Sequence, residues 1–301
     1  MDDEAVAGLR RDFAVHYDKT LADRPQELAA LAASAPALIV RNRTQVRGEL
    51  LASCKALKVV GRLGVGLDNI DVEECARRSI AVFPATGANT LSVAEYVIAA
   101  SLVALRDVWR ANDAMLAGKW PRNELMLGEV SGRCMGLVGF GAIARAVAVR
   151  ARALGMAIVA FDPLVPAGDP AWAEHGATRA AALDDLLAAA DVISLHVPLL
   201  PATRNLLDAR AFARMKATAV VINTARGGIV DEPALCEALK AGRIRAAVLD
   251  VFDREPLPAG SMFAGVPNLY LTPHIAGVTA EGNVRVSAVT AANVRKALRG
   301  S

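Results

Sequence analysis

Three short segments of the sequence carry side chains that together could bind an anion and move a proton. Arg226, Glu255 and His274 each follow a short apolar run that ends in a turn. Arginine can grip a planar carboxylate with two parallel N–H bonds, and imidazole exchanges a proton near neutral pH. Taken singly, each residue type is common in ordinary loops, so the chemistry depends on whether the fold brings the three together.

The elements before these segments are predicted to bring them to one place. The predicted strands are Ala219–Asn223 before Arg226, Ala246–Asp250 before Glu255, and Leu269–Leu271 before His274. Ligands of open α/β sheets gather at the carboxyl ends of the strands. We therefore expect an anion binder, an acid and a titratable base at one rim of a sheet.

A glycine-rich turn predicts a dinucleotide site in the same sheet. The pattern Gly139-x-Gly141-x-x-Ala144 lies between a predicted strand, Cys134–Gly139, and a predicted helix, Ile143–Leu154. The first glycine permits a tight turn, the second lets a pyrophosphate approach the backbone, and the alanine lets the helix pack closely. The helix start offers unpaired N–H groups and a positive dipole end to phosphates.

Asp162 indicates which dinucleotide the turn would hold. It ends the predicted strand Ala157–Phe161, about 20 residues beyond the first glycine, where an acid that binds ribose is expected. A carboxylate accepts hydrogen bonds from ribose hydroxyls but repels a 2′-phosphate, and Pro163 and Leu164 supply no nearby arginine. The sequence therefore favours NAD over NADP.

His196 is a second candidate base. It follows the predicted strand Val192–Leu195, but no carboxylate segment accompanies it. We therefore prefer His274 as the base. His16 and His175 are interpreted as structural or solvated.

The alternation of elements predicts an α/β fold. Short β-branched runs alternate with Ala- and Leu-rich helical stretches, as in parallel sheets covered by helices. We predict two doubly wound, Rossmann-like domains. The remaining predicted strands of the first part are Phe13–Tyr17, Ala37–Val40, Lys58–Gly61 and Ile80–Phe83, and single helices are predicted over Leu91–Ala117 and Gly282–Arg299.

Composition excludes several classes of protein. The 301 residues suffice for two domains, and with 54% apolar and 22% charged residues disorder is excluded. A net charge of +3 does not favour nucleic acid or an anionic membrane surface, and no apolar stretch is long enough for a membrane span. The acidic N-terminus does not resemble a secretory signal. Four scattered cysteines without a CxxC pair predict reduced thiols of a cytoplasmic protein, with neither disulfides nor a metal site.

Taken together, these segments resemble the D-isomer-specific 2-hydroxyacid dehydrogenase family over nearly the whole chain. Besides the turn at Gly139 and the three rim segments, the resemblance rests on Gly61–Asp71. It implies a nucleotide domain, residues 92–277, inserted into a substrate domain made of residues 1–91 and 278–301. It also implies NAD-dependent interconversion of a 2-hydroxy acid and its 2-keto acid.

The resemblance also assigns roles to residues. Arg226 would hold the substrate carboxylate, His274 would be the acid/base, and Glu255 would orient the histidine. The implied cofactor contacts are Gly139, Gly141, Ala142, Ile143, Asp162, His196, Val197, Pro198, Thr224, Ala225, Asp250 and Gly277.

The first predicted domain carries arginines that suggest a substrate with a second anionic group. The candidate substrate contacts are Arg41, Arg43, Arg62, Leu63, Gly64 and Val65. Their segments resemble the phosphoglycerate dehydrogenase branch of the family, which implies a three-carbon acid such as 3-phosphoglycerate or 3-sulfolactate. The sequence ends soon after its last predicted helix, and the missing appended domain favours 3-sulfolactate.

Two alternatives and one partner remain open at this stage. The alternatives are a general hydroxypyruvate, glyoxylate or 2-keto acid reductase, and an NAD-sensing binding protein similar to the corepressors related to this family. The complete set of Arg226, Glu255 and His274 favours an enzyme. The resemblance also implies a homodimer, because its members embrace a second subunit with the arm that corresponds to Leu91–Ala117 and the following Trp120.

Overall fold

The computed structural model describes residues 1–107 and 111–299. The chain divides into two compact units. The terminal unit comprises Met1–Asn89 and Val278–Ser301, and the central unit comprises Thr90–Gly277. Each is built on a parallel sheet with helices, which confirms the predicted α/β class.

The terminal unit has a small parallel sheet whose strands lie side by side in chain order. Its strands are β1 (Ala37–Val40), β2 (Val59–Arg62) and β3 (Ala81–Pro84). Its helices are α1 (Asp3–Arg10), α2 (Pro25–Ala32), α3 (Gly48–Ser53), α4 (Val72–Arg77) and the final helix of the chain, α12 (Ala280–Arg299). A buried apolar cluster that includes Val46, Leu51, Val60 and Cys75 forms its core.

Gly61 explains how α12 packs on this sheet. A Cβ atom at Gly61 would lie 2.7 Å from a methyl group of Val294 and 2.8 Å from that of Thr290. Only a residue without a side chain lets the helix approach β2 so closely. The C-terminal helix is thereby attached to strands formed more than 200 residues earlier in the chain.

The central unit contains a seven-stranded parallel sheet in the order β10-β9-β8-β7-β4-β5-β6. The strands are β4 (Cys134–Val138), β5 (Ala157–Phe161), β6 (Ala177–Arg179), β7 (Val192–Leu195), β8 (Val220–Asn223), β9 (Ala246–Leu249) and β10 (Leu269–Leu271). The helices are α5 (Thr90–Arg106), α6 (Asn112–Leu116), α7 (Ala142–Ala153), α8 (Ala171–Glu174), α9 (Leu183–Ala189), α10 (Ala209–Arg214) and α11 (Glu232–Lys240). Chain order reverses at β4, which is the position where doubly wound sheets bind dinucleotides.

Both faces of this sheet are covered by apolar side chains. Ala246 and Val248 of β9 belong to one buried cluster, whereas Ala247 and Leu249 belong to another. Because successive side chains of a strand point to opposite faces, the two clusters lie on the two sides of the sheet. No described helix combines the length and the apolar character that crossing a membrane requires.

Three predictions of secondary structure are wrong. Phe13–Tyr17 is irregular, because no strand in the described part of the chain pairs with it and its alternating half-buried side chains therefore form no ladder. The helix predicted over Leu91–Ala117 ends at Arg106, because Asp107 adopts a left-handed conformation with φ of 47° and accepts a hydrogen bond from Tyr270 Oη at 2.5 Å. Trp109, within the range of that predicted helix, lies outside the described residues. Strand β6 was not predicted.

Candidate active site

The glycine turn after β4 is held in place by its neighbours. Gly139 has a φ of 89°, and a Cβ atom there would lie 2.6 Å from the carbonyl oxygen of His196. The turn therefore needs glycine both for its conformation and for its contact with the end of β7. Around Gly141, by contrast, the position of a Cβ atom is in open space, which leaves room for a ligand.

Asp162 closes this turn from the end of β5. Its Oδ2 accepts the N–H of Phe140 at 2.8 Å, and its Oδ1 accepts the N–H of Leu164 at 2.9 Å. The carboxylate is thereby fixed beside the start of α7, where Ala142 and Ile143 begin the helix and the first-turn N–H groups lack partners within it.

An aromatic stack supports the turn and was not foreseen from the sequence. The buried ring of Phe140 stacks on Trp172 with centroids 4.5 Å apart. The guanidinium of Arg145 lies 5.5 Å from the Phe140 centroid, and its Nε donates to the Phe140 carbonyl at 2.8 Å. No sequence signal placed Trp172 here, because its short helix, α8, lies beyond the recognised motif.

His196 lies at the end of β7 in a dry environment. Its backbone N–H donates to the Val138 carbonyl at 2.7 Å. The ring atom Nε2 is buried without a hydrogen-bond partner among the described residues. Burial lowers the pKa of His196 to about 4, so the ring is neutral near pH 7. A neutral, buried imidazole fits a binding role better than that of the base, and Val197 and Pro198 continue from it along the same edge of the sheet.

The loop after β8 carries Arg226 on a rigid frame. Asn223 is 1% exposed, and its side chain accepts the N–H of Ala225 at 3.0 Å and donates to the carbonyl of Arg226 at 2.8 Å. A Cβ atom at Gly227 would lie 2.0 Å from the carbonyl oxygen of Phe252. Glycine therefore lets the Arg226 loop pack directly against the loop after β9.

Glu255 and His274 form a hydrogen-bonded pair. Glu255 Oε2 lies 2.7 Å from His274 Nδ1, and the other carboxylate oxygen accepts the N–H of Phe252 at 3.1 Å. A proton on Nδ1 satisfies this pair and leaves Nε2 of the imidazole as the atom that can exchange a proton. The His274 side chain is 41% exposed and that of Glu255 is 32% exposed, so the pair is open to small molecules.

Asp250 positions the loop that bears His274. This carboxylate is 1% exposed and accepts the N–H groups of Ile275 and Ala276, each at 2.8 Å. Its backbone carbonyl accepts the N–H of His274, also at 2.8 Å. These bonds hold His274 at a φ of 55°, a left-handed conformation that non-glycine residues adopt only when their surroundings impose it.

A hydroxyl chain extends from Asp250. Thr272 Oγ1 donates to Asp250 Oδ1 at 2.6 Å, so the Tyr96 hydroxyl, 2.5 Å from Thr272 Oγ1, must donate to it. Burial raises the pKa of Tyr96, which keeps that proton in place. The sequence suggested Asp250 as a cofactor contact, but it gave no signal for this contact with α5.

The candidate substrate residues lie in the terminal unit. Arg41 donates to Asn283 of α12, and Arg43 forms an exposed ion pair with Asp23. Arg62 Nη1 donates to the carbonyl of Leu63 at 2.7 Å. The backbone N–H groups of Leu63 and Gly64 donate to the carbonyls of Val40 and Arg62, each at 2.8 Å. These two N–H groups of the candidate substrate contacts are therefore already bonded within the unit. Val65 is exposed.

Most of the predicted site residues of the central unit therefore lie at one edge of its sheet. We call this edge, formed by the loops after β7, β8, β9 and β10, the central rim. Strands β8, β9 and β10 are parallel neighbours, so the loops bearing Arg226, Glu255 and His274 leave the sheet on the same side. Gly277 is the last residue of the central unit and follows the loop held by Asp250.

This edge fits a dinucleotide. The Gly139 turn and the start of α7 offer backbone N–H groups, and Asp162 offers a carboxylate to ribose hydroxyls. Thr224 Oγ1 and Ser194 Oγ, like His196 Nε2, are buried and lack a hydrogen-bond partner among the described residues. Unsatisfied buried polar atoms are uncommon in proteins, so their presence at strands β7 and β8 is consistent with a polar ligand.

Comparisons with known proteins agree with this geometry. Residues 98–276 match the family described as D-isomer specific 2-hydroxyacid dehydrogenase, NAD binding domain. The chain is 53% identical over 298 residues to a (S)-sulfolactate dehydrogenase of Chromohalobacter salexigens, an alignment that covers 99% of this chain and 96% of that protein.

Two further similarities extend over the whole chain. It is 38% identical over 300 residues to a D-3-phosphoglycerate dehydrogenase of Archaeoglobus fulgidus, which covers 100% of this chain and 56% of that longer protein. Among solved structures, it resembles a putative D-isomer specific 2-hydroxyacid dehydrogenase, NAD-binding, from Polaromonas sp. JS6 66. The TM-score is 0.87 and the identity 30%, with 99% of this chain and 94% of that chain covered.

Proposed function

Because the chain belongs to the D-isomer-specific 2-hydroxyacid dehydrogenase family, we propose that it oxidises (S)-3-sulfolactate to 3-sulfopyruvate with NAD. That it is an NAD-dependent 2-hydroxyacid dehydrogenase confirms the activity predicted from the sequence. The single observation that carries the site assignment is the His274–Glu255 pair, at 2.7 Å, on the strand edge that also bears Arg226.

In this proposal Arg226 binds the substrate carboxylate. The guanidinium projects from a loop that Asn223 braces at 2.8 Å and that Gly227 packs against the next loop. A planar fork of N–H donors matches the two oxygens of a carboxylate and orients the adjacent C2 hydroxyl. The positive charge also stabilises negative charge that develops on the C2 oxygen.

His274 takes the hydroxyl proton. As the C2–O bond becomes a carbonyl, the O–H proton moves to Nε2 of the imidazole, and in the reverse reaction it returns to the C2 oxygen. Glu255 holds the Nδ1 proton and stabilises the imidazolium that results. When bound at the Gly139 turn, NAD supplies the acceptor for the hydride that leaves C2.

The choice of substrate is supported by the relatives and by stereochemistry. The second anionic group of 3-sulfolactate corresponds to that of 3-phosphoglycerate, and relatives named for both acids align with the whole of this chain. The (S) label of sulfolactate arises because sulfur outranks the carboxyl oxygens in the naming rules. (S)-3-Sulfolactate and D-3-phosphoglycerate therefore have the same spatial arrangement at C2. Arg41, Arg43 and Arg62 are the proposed contacts of the terminal unit, and the backbone N–H groups of Leu63 and Gly64, which bond to carbonyls within it, are left out.

A substrate panel tests the proposal. Purified protein and NAD would be assayed with (S)-3-sulfolactate, D-3-phosphoglycerate, D-glycerate and D-lactate, and NADH with sulfopyruvate, hydroxypyruvate and glyoxylate. We expect kcat/KM for (S)-3-sulfolactate to exceed that for D-glycerate and D-lactate by about tenfold or more, as one extra charged contact allows, and also to exceed that for D-3-phosphoglycerate. Reduction of hydroxypyruvate or glyoxylate faster than that of sulfopyruvate would overturn the assignment of the substrate. Binding of NADH without any turnover would favour the NAD-sensing binding protein.

Asp162 is the proposed basis for using NAD instead of NADP. Its carboxylate is fixed by two backbone N–H groups, so it cannot swing away from a 2′-phosphate. Asp162→Ala should lower the ratio of kcat/KM for NAD to that for NADP, because the repulsion disappears. An unchanged ratio would contradict this role.

We also infer a homodimer formed through the segment after α5. Its support is the exposure of large apolar side chains there, with Leu116 89%, Met126 80% and Trp120 77% exposed. Exposed apolar residues that cluster in one segment mark protein interfaces. Light scattering should give twice the monomer mass, and Leu116→Glu with Trp120→Glu should give the monomer mass. A wild-type monomer would refute the dimer.

A cytoplasmic location is part of the same proposal. Cys54, Cys75, Cys134 and Cys236 are all free thiols. Burial raises the pKa of each, which keeps them protonated and unreactive. Free, unreactive thiols are typical of proteins in a reducing compartment.

A further inference from the structure

Asn69 is a buried polar residue in the turn between β2 and α4. It is 5% exposed, and all the hydrogen-bonding atoms of its carboxamide are occupied. Its Nδ2 donates to the carbonyl of Arg41 at 2.9 Å and to that of Thr44 at 2.6 Å, while its Oδ1 accepts from Nε of Arg62 at 3.3 Å. One side chain thus joins both arginine-bearing segments of the terminal unit.

Backbone hydrogen bonds also attach the Asn69 segment to the segment around Val46. The backbone carbonyl of Asn69 accepts the N–H of Val46 at 2.8 Å, and the N–H of Asp71 donates to the carbonyl of Val46 at 3.0 Å. The N–H of Ile70 is bonded to Leu67 at 2.9 Å. The main chain therefore secures this turn, and the carboxamide has the separate effect of linking Arg62 to the loop 41–44.

The Arg62 guanidinium lies in the space that Gly64 leaves open. A Cβ atom at Gly64, where φ is 150°, would lie only 2.5 Å from Nη1 of Arg62. The absence of a side chain there lets the guanidinium lie along the loop, where Nη1 donates to the Leu63 carbonyl at 2.7 Å. With Asn69 on Nε, the plane of this cation has a defined orientation.

We infer that Asn69 is a positioning residue that orients Arg62 and the loop 41–44 to receive the second anionic group of the substrate. This inference rests on the proposed function. Among the twenty side chains, a carboxamide of this length supplies two donors for the carbonyls and one acceptor for the arginine. Aspartate would place negative charge against two carbonyl oxygens, and leucine, of similar size, would satisfy none of the three partners.

A double-mutant cycle separates positioning from simple structural support. Asn69→Leu, Arg62→Ala and the combined variant would be assayed with (S)-3-sulfolactate and with D-lactate, which lacks a second anionic group. We expect Asn69→Leu to raise KM for sulfolactate about tenfold, as loss of one hydrogen bond to a charged group allows, and to change KM for lactate less than twofold. In the Arg62→Ala background, Asn69→Leu should have a smaller effect than in the wild type, because only the loop 41–44 is then left for Asn69 to position. Gln26→Ala, an exposed carboxamide of α2, is the matched control.

The outcomes are distinct. If the wild type does not prefer sulfolactate or phosphoglycerate over lactate, the proposed substrate class fails and Asn69 loses this role with it. If the wild type has that preference but Asn69→Leu leaves it intact, raises KM for both acids equally, or adds fully to Arg62→Ala, only the inference about Asn69 fails. Asn69→Ser serves as a smaller second variant, and it is read by the same criteria if Asn69→Leu does not fold.

Discussion

In the central unit, Glu255 and His274 are fixed by backbone N–H groups and a buried carboxylate, whereas in the terminal unit Arg41 and Arg43 are held by exposed side-chain partners. Buried hydrogen bonds to a charged group are strong, while exposed ion pairs contribute little. The Glu255–His274 pair therefore has one defined geometry, whereas the side chains of Arg41 and Arg43 are held less firmly. This contrast suits a family that retains one reaction and changes its acid substrate.

The largest expected effect breaks the chemistry of the central rim. His274→Ala should reduce kcat by roughly 10²–10⁴-fold, because positioned acid/base groups contribute that much. The affinity for NADH, measured by fluorescence titration, should stay within about twofold of wild type, since the Gly139 turn is unaffected. His16→Ala, at an exposed histidine of the terminal unit, is the control. Unchanged turnover would show that another group is the base.

The next effect tests whether the His196 side chain, at the end of β7, is shielded from water. The pKa of His196 is about 4 in the folded protein and has its ordinary value of 6.5 in the unfolded chain. Between these values the unfolded chain binds more protons, so the free energy of unfolding falls as pH falls through this window. The loss approaches roughly 3 kcal/mol near pH 4.

Comparison with His196→Asn isolates this contribution. The variant has an amide that does not titrate, so its stability should depend less on pH between about 6.5 and 4. Urea unfolding followed by circular dichroism at several pH values measures the difference. Parallel curves for the two proteins would mean that His196 is solvated, which would weaken the contrast between the units.

A smaller effect tests the buried carboxylate that positions His274. Asp250→Asn removes the charge and turns one acceptor into a donor that faces the N–H group of either Ile275 or Ala276. We expect kcat to fall by roughly 10- to 100-fold, as the loss of buried hydrogen bonds to a charged group predicts. Asp184→Asn, at an exposed carboxylate of α9, should leave kcat unchanged. Equal kcat values for both variants would contradict the positioning role.

The smallest effect is expected in the terminal unit. Asp23→Asn removes the carboxylate that competes for the Arg43 guanidinium. KM for (S)-3-sulfolactate should then fall by no more than about fivefold, because an exposed ion pair is worth at most about 1 kcal/mol. The free energy of unfolding should change by less than the same amount. A change in KM of tenfold or more would show that the loop 41–44 is held as rigidly as the loops that bear Glu255 and His274.

The fold was predictable where periodicity and turn chemistry agree. Ala37–Val40, Ala157–Phe161 and Val192–Leu195 have the bounds that the sequence predicts, because buried parallel strands are short apolar runs between turns. Phe13–Tyr17 alternates between half-buried and exposed residues, as a strand would. Among the described residues no strand lies beside it, and a β ladder requires hydrogen bonds to a second backbone. The end of α5 depends on Asp107 and its contact with Tyr270, which lie 163 residues apart in the chain.

The residues of the candidate site were predictable from their types and positions. The residues that hold them in place were not. Arg226, Glu255 and His274 stand out because each follows a strand. Asn69 and Phe140 gave no comparable signal, since an asparagine in a turn or an apolar residue between two glycines has many ordinary uses.

The sequence by itself determined the glycine turn and the strand edge that bears Arg226, Glu255 and His274, because these follow from local motifs and their order along a parallel sheet. Only the tertiary structure decided that Asp250 fixes the His274 loop, that His196 is dry and neutral, and that Asn69 joins Arg62 to the loop 41–44. The reason is physical: hydrogen bonding and desolvation depend on which distant backbone and side-chain atoms surround a group, and a pattern of neighbours along the chain does not specify those surroundings.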